Sequence, residues 1–229
     1  MTEIIAEETC VLKLGALSGP NLAKEIVAGQ PAATVVASPF QEVIEKTERL
    51  LAGPTFRLYG NFDLAGVEYA GALKNIYAIA GGISAGLGFG ANTLSTLITR
   101  GLAEMSRFGQ HYGADPLTFQ GLAGVGDLVA TCSSTLSRNH TVGRHLAMGK
   151  SLDAIFAELE MVAEGVNTTK VIAEHALEHG IDMPIASAVY RVLFDGASPQ
   201  EALSQLMDRS SRYEQVDTLI HKAQTKDVG

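Results

Sequence analysis

Along this 229-residue chain the spacing of apolar positions changes once. Short β-rich runs at Val11 to Leu17, Ala33 to Ala37 and Thr55 to Tyr59 alternate with helical candidates over Asn21 to Ala28 and Phe40 to Leu51. Strand, helix, strand, helix, strand is the rhythm of an α/β unit, here with a thin sheet. From Gly66 onward the period is helical almost without interruption. Candidate helices run over Gly66 to Ala85, Asn92 to His111, Pro116 to Leu122, Asp127 to Cys132, Ser137 to Met148, Leu152 to Leu159, Asn167 to His179, Ile185 to Phe194 and Pro199 to Asp208. Punctuation sets these limits. Asp115-Pro116 and Ser198-Pro199 pair an N-cap with a first-turn proline, and Gly149, Gly180 and Gly196 stand where C-terminal caps belong. The expected organisation is an α/β segment, residues 1–65, followed by a mainly α-helical domain, residues 66–229. No repeat or low-complexity segment is seen, and His221 to Gly229 are expected to fray.

Composition refines this outline. Apolar residues make up 46% of the chain and charged ones 18%, enough for a large core. With 24 glycines, no tryptophan and 6% aromatics, that core is expected to use small aliphatics and closely approaching helices, which also suits a homodimer. A formal net charge of −8 argues against a nucleic-acid or anionic-membrane surface, because phosphate would be repelled at long range. Cys10 and Cys132 match no ligand spacing, and reduced thiols in a cytoplasmic protein account for them. The acidic start, Met-Thr-Glu-Ile-Ile-Ala-Glu-Glu, is unlike the basic region that opens a signal peptide. The uncharged run from Asn75 to Thr99 is expected to be two helices meeting at Gly86, Gly88 and Gly90 rather than one membrane span.

Lys74 is the only charge between Glu68 and Arg100. On a helix its neighbours are Ala70, Leu73, Tyr77 and Ala78, so its ammonium sheds water there, which favours the neutral amine and suits a proton shuttle. The competing reading is a lysine that lies along the helix and snorkels to the surface. A dinucleotide fingerprint is missing, since Gly86-Leu-Gly88-Phe-Gly90 and Gly124-Val-Gly126 follow no strand and read as helix corners. Asp127 opens a helix, either as a first-turn acid or as a chemical group. Ser137-Arg138-Asn139 stands at another helix start. Arg138 there is a phosphate clamp or an ordinary surface arginine, and its neighbours are ligands or caps. Glu164 precedes a helix and reads as solvent-facing. His175 and His179 have i, i+4 spacing but no Glu-x-x-His pattern, so no metal is expected.

In order and with compatible spacing, these segments resemble one family. Leu17-Ser-Gly-Pro-Asn-Leu-Ala-Lys-Glu25, Gly66 to Ile83, Leu97 to Met105 and Gly121-Leu-Ala-Gly-Val-Gly-Asp-Leu-Val-Ala-Thr-Cys132 with Ser137-Arg-Asn139 are similar to NAD(P)-dependent glycerol-3-phosphate dehydrogenase of the bacterial type. The resemblance implies a fold in which a remnant of a Rossmann-type domain precedes a helical substrate domain. It implies interconversion of sn-glycerol 3-phosphate and dihydroxyacetone phosphate for glycerophospholipid synthesis, with NAD or NADP as cofactor and a small phosphorylated three-carbon substrate. Lys74 then matches the proton donor and acceptor. Gly19, Asn21, Asn75, Asp127, Thr131, Ser137, Arg138 and Asn139 match substrate positions, with Asp127 also matching a partner of the lysine, and Ala23, Arg138, Val162 and Glu164 match cofactor positions.

Two departures accompany it. No glycine fingerprint stands ahead of these motifs, so weak or absent NAD(P) binding is expected of this chain by itself. Asn21 stands where many bacterial relatives carry Ser or Thr. Two other readings compete: a related two-domain hydroxy-acid dehydrogenase, and an inactive helical remnant that binds partners or oligomerises. In a complete enzyme, Lys74→Met is expected to abolish turnover and leave the fold as stable or more so.

Overall fold

A computed structural model describes residues 1–159 and 163–210. The chain opens with helix α1 (Thr2–Glu8), then β1 (Ala16–Ser18), α2 (Ala23–Val27), β2 (Ala32–Ala37), α3 (Gln41–Leu51) and β3 (Phe56–Asn61). The sheet order is β1-β2-β3. β2 pairs antiparallel with β1, placing Leu17 opposite Val36, and parallel with β3, placing Val35 opposite Tyr59. Val35, Val36 and Ala37 are buried because β2 is central, and a strand covered on both faces is apolar without alternation.

Nine helices follow among the described residues: α4 (Leu64–Gly86), α5 (Ala91–His111), α6 (Pro116–Phe119), α7 (Asp127–Ser133), α8 (Arg138–Ala147), α9 (Leu152–Leu159), α10 (Glu164–Glu178), α11 (Pro184–Phe194) and α12 (Pro199–Met207). A π-helical turn, Leu122–Gly126, leads into α7. The axis of the assembly is α4. Its residues Leu73, Ile76, Tyr77 and Ile79 are sealed from solvent, with α5, α7, α8 and α10 packed around it. Asp63 caps α4 by accepting from the Gly66 amide at 2.8 Å, and its other oxygen takes the Thr118 hydroxyl at 2.7 Å.

Where α4 crosses α8, the backbones touch. A Cβ built on Gly82 would stand 1.9 Å from the His140 carbonyl oxygen, and one built on Gly143 would stand 1.9 Å from that of Ile79. Only glycine at both positions permits this approach, which sets the first turn of α8 beside the middle of α4.

The expected elements recur with shifts that have physical reasons. The first strand is only Ala16–Ser18, because Val11 to Lys13 find no sheet partner and stay exposed. Helix α10 begins at Glu164, three residues before the expected Asn167, and so takes that glutamate into its first turn. The expected helix over Pro116 to Leu122 divides into α6 and the π-helical turn. α1 was not foreseen; its first residue is held by Glu68 of α4, which accepts from the Thr2 amide at 3.0 Å and the Thr2 hydroxyl at 2.8 Å. The glycine corner after α4 is as expected, with Gly88 at φ +79°. Among the described residues no helix is long and apolar enough to cross a membrane. His221 to Gly229, expected to fray, lie outside the described residues.

Candidate functional site

A cleft of about 830 Å³ opens between the β1 side of the sheet, the middle of α4, α7 and the start of α8. Lys74 reaches it from α4. The neighbours expected from the sequence, Ala70, Leu73, Tyr77 and Ala78, are all fully buried, while the Lys74 side chain itself keeps 21% of its surface open. Its ammonium lies 2.5 Å from Oδ2 of Asp127, a residue only 2% exposed. The lysine is therefore neither a snorkelling surface charge nor an unpaired buried one.

Asp127 is placed by the π-helical turn ahead of it. Gly124 makes that turn possible, since a Cβ there would lie 1.9 Å from the Phe119 carbonyl oxygen. Extra-wide turns of this kind recur at functional sites because they re-aim the residues that follow. Thr131 Oγ1 stands 3.1 Å from the Asp127 Oδ1 and 2.6 Å from the Asp127 backbone oxygen. Each carboxylate oxygen thus has a partner. The Ser18 hydroxyl, at the end of β1, is 3.5 Å from Oδ2 and ties the sheet to the pair. The Cys132 thiol beside them is pushed up to about 12 by burial first and by the Asp127 charge second, so it stays protonated and inert.

The polar triplet at α8 divides its labour. Ser137 is the N-cap, its hydroxyl accepting from the His140 amide at 3.3 Å. Asn139 is buried, donating to Asn75 Oδ1 at 2.9 Å and accepting from the Gly165 amide at 3.0 Å, which joins α4, α8 and α10 at the cleft wall. Arg138 is exposed on the rim, at the positive end of α8. On the opposite wall Gly19 has φ +147°, and a Cβ there would press on Thr34, so the wall stays open. Asn21 donates to Thr34 Oγ1 at 2.8 Å, leaving its Oδ1 buried and without a hydrogen-bond partner.

Gly19, Asn21, Lys74, Asn75, Asp127, Thr131, Ser137, Arg138, Asn139 and Glu164 all line this one cleft. Ala23 does not: it is exposed at the start of α2. Val162 lies outside the described residues. Ser18 and Glu68 are lining residues that the sequence left unread, and nothing in their local pattern marks them. The turn from β1 to α2, with Gly19 in it, lines one wall of the cleft, and Lys74, Asn75 and Arg138 bring hydrogen-bond donors to the other. These walls suit a small polar molecule.

The chain matches the family model described as NAD-dependent glycerol-3-phosphate dehydrogenase C-terminus over residues 63–204, and the corresponding N-terminus model over residues 1–44. It is 49% identical over 217 residues to a glycerol-3-phosphate dehydrogenase [NAD(P)+] of Anaeromyxobacter sp. (strain K), covering 93% of this chain and 65% of that protein. It is also 49% identical over 221 residues to the Acinetobacter baylyi protein of the same name, covering 96% of this chain and 62% of that one. The crystal structure of glycerol-3-phosphate dehydrogenase from Coxiella burnetii superposes with a TM-score of 0.87 at 39% identity, over 91% of this chain and 64% of that one. The chain thus spans about two thirds of the length of the relatives it matches.

Proposed function

Because the chain belongs to the NAD-dependent glycerol-3-phosphate dehydrogenase family, we propose that its cleft carries the substrate half of an oxidoreductase site interconverting sn-glycerol 3-phosphate and dihydroxyacetone phosphate. The observation that carries this reading is the Lys74–Asp127 pair, seated in the same cleft as the start of α8. Arg138 and the positive end of α8 hold the phosphate, since a forked guanidinium beside a helix N-terminus suits a phosphate dianion. Asn21, held against Thr34 on the opposite wall, meets the substrate's other end. Lys74 gives a proton to the carbonyl oxygen as it becomes an alkoxide, and recovers it in the reverse direction. Asp127 holds the ammonium in place, and Thr131 holds Asp127. Ser137, Asn139 and Asn75 shape the wall around them.

NAD or NADP, when bound, supplies or accepts the hydride; Arg138 and Glu164 are the described cleft residues that would meet it. Residues 1–65 are read as the last part of the cofactor domain and residues 66–229 as the substrate domain. The product feeds glycerophospholipid synthesis in the cytoplasm, and the small-residue helices suit a homodimer.

The test needs only the cleft. Dihydroxyacetone phosphate binding, measured by calorimetry, is expected to weaken by about 10- to 100-fold in Arg138→Ala, the loss of one charge-assisted contact. Binding unchanged by that substitution, or equal affinity for an unphosphorylated hydroxy acid, would instead favour a hydroxy-acid enzyme. NADH titration of the chain by itself is expected to show no micromolar affinity, because the glycine fingerprint is missing.

A further inference from the structure

The far end of α10 gathers a set of donors that the cleft does not use. His175, Glu178 and His179 follow one another at i, i+3 and i+4, so all three side chains leave the same face of the helix. Their nearest ligand atoms lie within 4.8 Å of one another, and among the described residues this is the one such group of histidine, cysteine and carboxylate side chains. None of the three lines the cleft. Glu164 does, at the other end of the same helix and about 21 Å away along its axis.

We propose that this His-Glu-His face is a binding site for a divalent transition-metal ion of the zinc class. Two imidazoles and a carboxylate form a donor set of borderline softness, which suits zinc, nickel or copper and leaves a position for water. The rings are already oriented. His179 Nδ1 lies 3.0 Å from the His175 backbone oxygen, so the proton sits on Nδ1 and the Nε2 lone pair faces outward. His175 Nε2–H donates to the Tyr112 hydroxyl oxygen, at the end of α5, and leaves Nδ1 as that ring's available nitrogen. An oxygen partner on the opposite nitrogen of each ring is the arrangement that supports metal-bound histidines. His111 packs edge-on against His179, with ring centres 5.9 Å apart, and holds it from the α5 side.

The location favours a cation as well. Helix α10 ends at Glu178, so the ion would sit at the negative end of the helix dipole. Around tetrahedral zinc, with bonds of about 2.0–2.1 Å, ligand atoms stand about 3.3 Å apart. Glu178 is exposed, and rotation of its side chain brings a carboxylate oxygen toward the two held rings. The site is independent of the chemistry assigned to the cleft.

Titration of the metal-stripped chain with zinc chloride, followed by calorimetry, is the test. One equivalent is expected to bind, with the affinity falling by more than about tenfold in both His175→Ala and His179→Ala, the loss of one ligand bond in each. Glu178→Gln is expected to weaken binding less, and Cys10→Ser not at all. Zinc should also raise the melting temperature of the wild type and leave that of the His175→Ala/His179→Ala double variant unmoved. Absence of a zinc heat in the wild type, or binding that survives the double variant or disappears in Cys10→Ser, overturns the proposal.

Discussion

At Lys74 the structure reverses one expectation drawn from the sequence. A buried ammonium without a partner would be relieved by methionine, and Lys74→Met would then be neutral or stabilising. Because Asp127 is 2% exposed and has the ammonium 2.5 Å away, methionine instead strands a buried carboxylate. The expected cost at neutral pH is about 1–3 kcal/mol of unfolding free energy, measured by urea titration. Adding Asp127→Asn removes the stranded charge, so the double variant should recover part of that loss; additive losses would show that the two residues do not interact. What was legible here was the lysine, as a lone charge in an apolar helix. Its partner Asp127, 53 positions away, followed from the family resemblance alone, because no local pattern announces the π-helical turn that aims it. Asn139 was legible as a polar residue at a helix start, but its hydrogen bonds to Asn75 and Gly165 require knowing that three helices meet.

Elements were read more surely than their limits. Helix stops followed from chemistry that acts within a few residues: Gly149, Gly180 and Gly196 all adopt positive φ, and one start, α12, followed from the capping box of Ser198 with Glu201. Starts were weaker. Helix α10 begins with no side-chain cap, so nothing in the sequence marked Glu164 as helical. The strand expected from Val11 failed over its first part because pairing, rather than propensity, decides where a strand exists. The α4–α8 crossing yields a prediction of its own. In Gly143→Ala the new methyl meets the Ile79 carbonyl oxygen at 1.9 Å, so the helices must separate. Thermal unfolding should show a loss of about 1–3 kcal/mol or more. Dihydroxyacetone phosphate affinity should fall with it, because the start of α8 moves away from Lys74. A variant of wild-type stability would mean that the crossing is looser than its geometry.

The molecule as a whole carries a pH dependence that sits in its core rather than in its cleft. Glu104 of α5 is 3% exposed and accepts from the Ile185 and Ala186 amides at 2.8 and 3.2 Å, capping α11 across the fold, while Tyr77 donates to it at 3.1 Å. Burial raises this carboxyl to about 7, against the hydrogen bonds and the Arg107 charge, which favour its ionised form. Between the ordinary carboxylate range and about 7 the folded chain therefore holds a proton that the unfolded chain releases. Stability is expected to fall as pH rises through that window, by up to about 3 kcal/mol from this group. Glu104→Gln, which cannot titrate, should flatten the dependence between pH 5 and pH 7; an unchanged slope would assign it to other groups. The sequence showed a glutamate in an amphipathic helix, and only the packing of α11 against α5 makes it a cap.

The two thiols differ in a way that has practical use. Cys10 is exposed, whereas Cys132 is buried against the carboxylate of Asp127 and kept protonated. An alkylating dye at neutral pH should thus mark the native chain once and the denatured chain twice. The rate at which the second label appears reports how often the wall behind Lys74 opens, giving a clock for local opening that needs no engineered probe. If both sulfurs react at the same speed under native conditions, that wall is breached far more often than its packing allows.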